Sequence, residues 1–175
     1  MNPQKQPEKK SHTLEQLIEH SGTVFNICLG FLKNPWEAEE LTQDVYLQAM
    51  RKLNSLKRED RLKQWLFQIT RNTCLNRIRK ERLRRLFLFK ENQEGSEKNT
   101  TEWQLIHKEQ YLSFKNAVSR LPYKKRIVFV FREYGQLSYQ EIADILGLKK
   151  GTVMSRLNRA REAVMAQLKE ENNEK

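Results

Sequence analysis

Leu137-Ser138-Tyr139-Gln140-Glu141-Ile142-Ala143-Asp144-Ile145-Leu146-Gly147, continuing after Leu148-Lys149 into Lys150-Gly151-Thr152-Val153-Met154-Ser155-Arg156-Leu157-Asn158-Arg159-Ala160, decides the fold of this chain. Ser138 and Glu141 fit a capping box, in which hydroxyl and carboxylate satisfy each other's free backbone amides at a helix start. Ile142, Ala143, Ile145 and Leu146 follow on a short helix, and Gly147 ends it. A second helix begins near Lys150, with Val153, Leu157, Ala160, Val164 and Leu168 at steps of three and four. A small residue, a glycine and a branched apolar residue at 143, 147 and 153 are what a helix-turn-helix needs for close approach, turn and lock. The remaining face offers Lys150, Thr152, Ser155, Arg156 and Arg159, donors suited to phosphates and base edges. A plain helical hairpin with a solvated polar face is the alternative. The joint occurrence of cap, glycine, lock and acid-free basic face favours DNA.

Working outward, the same punctuation organises the rest. No glycine or proline occurs between Trp36 and Glu94, and Leu41, Val45, Ala49 and Leu53 recur every four residues. Glu37, Glu39, Glu40 and Asp44 sit in the first turns of that helix, where carboxylates complement the dipole. A second helical block runs from Leu62 through Trp65, Leu66, Ile69, Leu75 and Ile78 into a basic run ending at Arg85. Trp65 shares the apolar context of Leu66 and Ile69, and reads as a core residue. Residues 91–102 are polar and locally acidic, and read as a flexible linker. Helix patterns over Trp103–Leu121 and Tyr123–Tyr134 follow, stopping before Pro122 and at Gly135. The apolar run Ile127–Phe131 could be a strand, but its helical flanks and lack of strand partners argue otherwise. The expectation is an all-α chain: a tail at 1–12, a domain at 13–90, a linker at 91–102, a second domain at 103–170 and a tail at 171–175.

Composition bounds the function. The 175 residues carry 33 Lys+Arg against 22 Asp+Glu, a net +11. That excess is localised: residues 1–50 carry −3, residues 51–90 carry +11 and residues 91–175 carry +3. A second compact cluster is Lys149, Lys150, Arg156, Arg159 and Arg161. Two separated basic stretches suggest two grips on nucleic acid. No apolar run approaches a bilayer span and the N-terminus has no secretory pattern, so a soluble, cytoplasmic protein is expected. His12, His20 and His107 are dispersed without metal-ligand spacing, Cys28 and Cys74 read as small core residues, and no nucleophile motif or Gly-rich phosphate loop occurs. No catalysis, cofactor or metal is expected. A classical regulator with a sensing domain is the rival reading, but a sensing domain has no need of the basic run at 77–85.

Leu121-Pro122, Ser138 to Ala143, Leu146-Gly147, Gly151 to Val153, Ser155 to Leu157 and Arg159 to Glu162 resemble region four of bacterial sigma factors, more narrowly the extracytoplasmic-function class. Glu37 to Tyr46 is similar to that class's region-two helix, and Trp65 to Asn72 with Asn76 to Arg79 to its promoter-melting segment. The resemblance implies a transcription initiation factor. Its N-terminal domain would bind core RNA polymerase through Glu40, Leu41, Gln43, Asp44 and Gln48, on the clamp helices of the largest subunit. The flap of the second-largest subunit would be a further contact. Arg71, Asn72, Thr73, Asn76, Arg77, Arg79, Lys80 and Arg82 would hold the opened minus-ten strand. Lys150, Thr152, Met154, Ser155, Arg156, Asn158 and Arg159 would face the minus-35 element of promoter DNA. The linker would thread the transcript path, and an anti-sigma factor would be the regulating partner. The position of Met154 is more often Lys or Arg in the family, that of Leu62 more often aromatic, and those of Lys149 and Lys150 less basic.

Overall fold

Proline at a first helical position has its φ already set and lacks the amide that the first turn would leave unpaired. Pro35 uses both properties, and ahead of it the Asn34 side-chain oxygen accepts from the Trp36 amide at 2.9 Å. In the computed structural model, which describes residues 13–32, 34–56, 58–87 and 102–173, the helix so started is α3, Pro35–Lys52. Before it come α1, residues 13–18, and α2, Ser21–Phe31. After it come 3₁₀ turns at Leu53–Ser55 and Glu59–Arg61, then α4, Leu62–Phe87. The rest is α5, Glu102–Arg120; α6, Tyr123–Glu133; α7, Tyr139–Leu146; and α8, Lys150–Asn173. No strand occurs among the described residues, and no described helix is long and apolar enough to cross a membrane.

α1–α4 close on one core. Ala38, Leu41, Val45 and Ala49 form the inward stripe of α3, against Val24, Ile27 and Cys28 of α2 and Leu66, Phe67 and Cys74 of α4. Leu53, expected to continue the α3 stripe, is half-buried in the following turn. Trp65 packs against the core as a half-buried residue. Tyr46 donates its hydroxyl to the Leu17 carbonyl at 2.8 Å, tying α1 to α3, and burial pushes its phenol up to about 12. Cys28 and Cys74 meet in this core as free thiols, sulfurs 3.9 Å apart.

α5–α8 make the second set. Ile127 to Phe131 is helical and buried at every position. A helix apolar all round must be covered on all sides. α7 and α8 pack against α6 from within its own set, and α2 packs against it from the first. That last contact needs glycine twice: a Cβ on Gly30 would lie 2.7 Å from Val130 Cγ1, and one on Gly135 2.9 Å from Ile27 Cγ1. The seam continues where Lys63 of α4 pairs with Glu141 of α7 and Gln64 Nε2 donates to the Asp144 carbonyl at 2.9 Å. Arg126 stands over the Phe31 ring at 5.7 Å.

The expected tail at 1–12 lies outside the described residues. So does most of the expected linker at 91–102; only Glu102 is described, opening α5. The C-terminal boundary differs from expectation, since α8 runs past residue 170 to Asn173. Glu171 explains this: it accepts from the Ser113 hydroxyl and pairs with Arg120 at 3.5 Å, pinning the last turn to α5.

Candidate nucleic-acid interface

The capping box is formed as expected. The Ser138 hydroxyl accepts from the Glu141 amide at 3.2 Å, and the Glu141 carboxylate accepts from the Ser138 amide at 2.8 Å. Burial alone would raise the Glu141 carboxyl, but the Lys63 ammonium and the Ser138 amide and hydroxyl hold it down at about 2. Gly147 closes α7 at φ 64°, the left-handed conformation glycine adopts without penalty. Leu148 then donates to the Ala143 carbonyl at 2.9 Å, completing the turn into α8.

α8 is fixed by Val153, Leu157, Ala160 and Val164, all buried. With that stripe inward, Lys150, Met154, Ser155, Asn158 and Arg159 stand exposed, and Thr152 and Arg156 are half-buried at the flank. The Ser155 hydroxyl donates to the Thr152 carbonyl at 3.1 Å, leaving its oxygen as an acceptor. Among the described residues no carboxylate pairs with Lys150, Arg156 or Arg159. Arg161 differs: it grips Glu133 of α6 at 2.6 and 3.0 Å, which removes it from the basic cluster and raises its already high pKa. No local pattern signals this pairing, because its partner is 28 positions away.

α4 sorts its candidates differently. Asn72, Asn76 and Arg79 are exposed at steps of four and three, hence on one outer stripe, with Lys80 and Arg82 exposed beside them. Thr73 lies on the inner side of α4. It is 5% exposed and donates its hydroxyl to the Ile69 carbonyl at 2.9 Å, so it packs α4 instead of meeting a base. Arg71 is half-buried, its Nε enclosed without a partner. Arg77 reaches across to Glu40 of α3 at 3.1 Å, joining a DNA candidate to a polymerase candidate.

On α3, Glu40, Gln43 and Asp44 are exposed and Gln48 half-buried. Leu41, at 2% exposure, belongs to the inward stripe and supports that face from within. The outward apolar residues are Trp36, Leu47 and Met50, with Trp36 79% exposed. Positions 36, 40, 43, 47 and 50 alternate steps of four and three, the spacing of a helix seam for another helix. That spacing was available in the sequence. Reading it required knowing which face Leu41 and Val45 take.

Comparison with known proteins agrees with this geometry. Residues 17–84 match the Sigma-70 region 2 family and residues 111–164 the Sigma-70, region 4 family. The ECF RNA polymerase sigma factor EcfG of Rhodopseudomonas palustris (strain TIE-1) is 32% identical over 138 residues, covering 77% of this chain and 73% of that protein. ECF RNA polymerase sigma factor SigW of Bacillus subtilis (strain 168) is 28% identical over 158 residues, covering 84% and 83%. Among solved structures, the sigma factor RpoE in complex with the anti-sigma factor NepR, from Bartonella quintana, superposes with a TM-score of 0.64 at 26% identity, covering 89% of this chain and 95% of that one. CnrH in complex with the cytosolic domain of CnrY has the same fold, with a TM-score of 0.65 at 20% identity, covering 91% and 89%. A region-two helical set followed by a region-four helix-turn-helix, in one chain of this length, belongs to the ECF RNA polymerase sigma factors, and this chain is one of them.

Proposed function

We propose that this sigma factor joins core RNA polymerase through the outer face of α3, reads the minus-35 element with α8 and captures the melted minus-ten strand with α4. The observation that carries the reading is α8. Val153, Leu157, Ala160 and Val164 are buried in the core, which leaves Lys150, Ser155, Asn158 and Arg159 as an acid-free outward arc on the second helix of a helix-turn-helix. N-terminal residues of such a second helix meet base edges in the major groove. Arg159 suits guanine and Asn158 adenine, while Lys150 and Arg156 suit phosphates.

For the opened strand, Asn72 and Asn76 present amides on one stripe of α4, and Arg79, Lys80 and Arg82 supply charge along a backbone. For polymerase, Trp36, Leu47 and Met50 with Glu40, Gln43 and Asp44 make an amphipathic seam that fits the clamp helices of the largest subunit, and the flap of the second-largest subunit is the region-four contact. The protein acts as a cytoplasmic initiation factor without chemistry of its own. RpoE was captured with the anti-sigma factor NepR, and CnrH with the cytosolic domain of CnrY. An anti-sigma factor is the regulator we assign here too.

Reconstituted polymerase tests the residue roles. Arg159→Ala should weaken minus-35-dependent promoter binding by about 1–3 kcal/mol and relax one base preference. Asn72→Ala should leave binding to the closed duplex intact and lower strand opening about three- to tenfold, read by permanganate reactivity. An unchanged promoter preference in Arg159→Ala would refute the role of Arg159 in base recognition.

A further inference from the structure

We propose that Met154 reads the C5-methyl group of a thymine in the minus-35 element, making it a specificity-determining residue. The inference rests on α8 entering the major groove. Met154 lies on the second turn of α8 and is 44% exposed. Successive helical residues turn by about 100°, so Met154 shares the outward half of α8 with Ser155, Asn158 and Arg159, away from Val153, Leu157 and Ala160. One turn earlier, a Cβ on Gly151 would meet nothing within 4 Å, so the surface of α8 is open there among the described residues.

Chemistry narrows the partner. A thioether has no hydrogen to donate and no charge, so it offers nothing to phosphate or to the N7 and O6 acceptors of guanine. The apolar group that base pairs present in the major groove is the thymine methyl. Methionine is unbranched and polarizable, and adapts to such a small apolar target. Asn158, one turn further on the same side, suits adenine. Four residues of helix rise about 6 Å and base pairs stack about 3.4 Å apart, so the two side chains fall within about two base pairs of each other. A short A/T-containing stretch is therefore the expected target of the Met154–Asn158 edge.

Replacing thymine by uracil removes that methyl and leaves every hydrogen-bonding group in place. The experiment uses the holoenzyme reconstituted with the full chain. A promoter library randomised through the minus-35 element defines the preferred sequence, and each thymine in it is then changed singly to uracil. One replacement should weaken binding about fourfold, the effect of losing one buried methyl. Met154→Ala should abolish that sensitivity while keeping the remaining base preferences, and Met154→Leu should retain it. Absence of thymine from the selected element, no uracil effect, or an equal uracil effect in Met154→Ala would each overturn the proposal. A library with no minus-35 preference at all, unaltered by Arg159→Ala, would mean that α8 does not read the element, and both readings would fall together.

Discussion

Gly30→Ala isolates the packing of α2 against α6. In α2 alone the substitution is favourable, because alanine exceeds glycine in helix propensity by about 1 kcal/mol. At the seam it is not: the new methyl would sit 2.7 Å from Val130 Cγ1 and 2.8 Å from Tyr134 Cγ. Val130 is fully buried and Tyr134 is packed on the core, so neither can simply retreat. A methyl forced into such a site costs about 1–3 kcal/mol. Against the propensity gain, the docked arrangement should lose up to about 2 kcal/mol, a shift of up to roughly thirtyfold toward separated domains. Small-angle scattering of the purified chain should report a larger radius of gyration. Energy transfer between dyes on α4 and α8 should fall, while helical circular dichroism is retained. An unchanged radius and unchanged transfer would refute the packing of the two helical sets through Gly30.

Three further outcomes follow from individual side chains. Leu41→Ala should destabilise the fold by about 2–5 kcal/mol in chemical denaturation, whereas exposed Leu47→Ala should leave the denaturation midpoint in place and weaken core-polymerase binding by about 1–2 kcal/mol; the reverse pattern would exchange the inner and outer faces of α3. Glu141 is held at about 2 against an ordinary 4.5, so its stabilising effect is complete above pH 4.5 and disappears as pH falls toward 2. The pair with Lys63 is partly exposed, so screening leaves about 1 kcal/mol at most. Denaturant midpoints measured across that window should flatten in Glu141→Gln. Arg161→Ala should not alter the salt slope of promoter binding, because Arg161 is committed to Glu133, while Lys150→Ala should reduce that slope by about 0.9 if Lys150 neutralises one phosphate.

Much of this architecture was legible in local sequence because its determinants are local. The Ser138–Glu141 box, Gly147 and the spacing of Val153, Leu157 and Ala160 each specify a backbone outcome within one or two turns, and each formed. Resemblance located the candidate stretches but did not resolve faces within them. Leu41 and Thr73 belong to the right helices and point into the core, where packing leaves nothing to present. Trp36, Leu47 and Met50 lie outside the Leu41, Val45 and Ala49 stripe, so the same periodicity that marks the inner face also marks their outward seam. What joins the two helical sets was not legible. Gly30 against Val130, Lys63 against Glu141 and Gln64 against Asp144 link residues far apart in the chain, and no periodicity encodes such pairs.

The central claim is that this chain confers promoter recognition on a polymerase that lacks it. The direct measurement is transcription from a promoter library by purified core RNA polymerase, with and without the chain, alongside co-elution of the two. A stoichiometric complex is expected, with transcripts that start downstream of one shared pair of minus-35 and minus-ten sequences. The chain without core should bind those promoters only weakly. Tight, sequence-specific binding by the chain alone, with no association with core and no new transcripts, would contradict it.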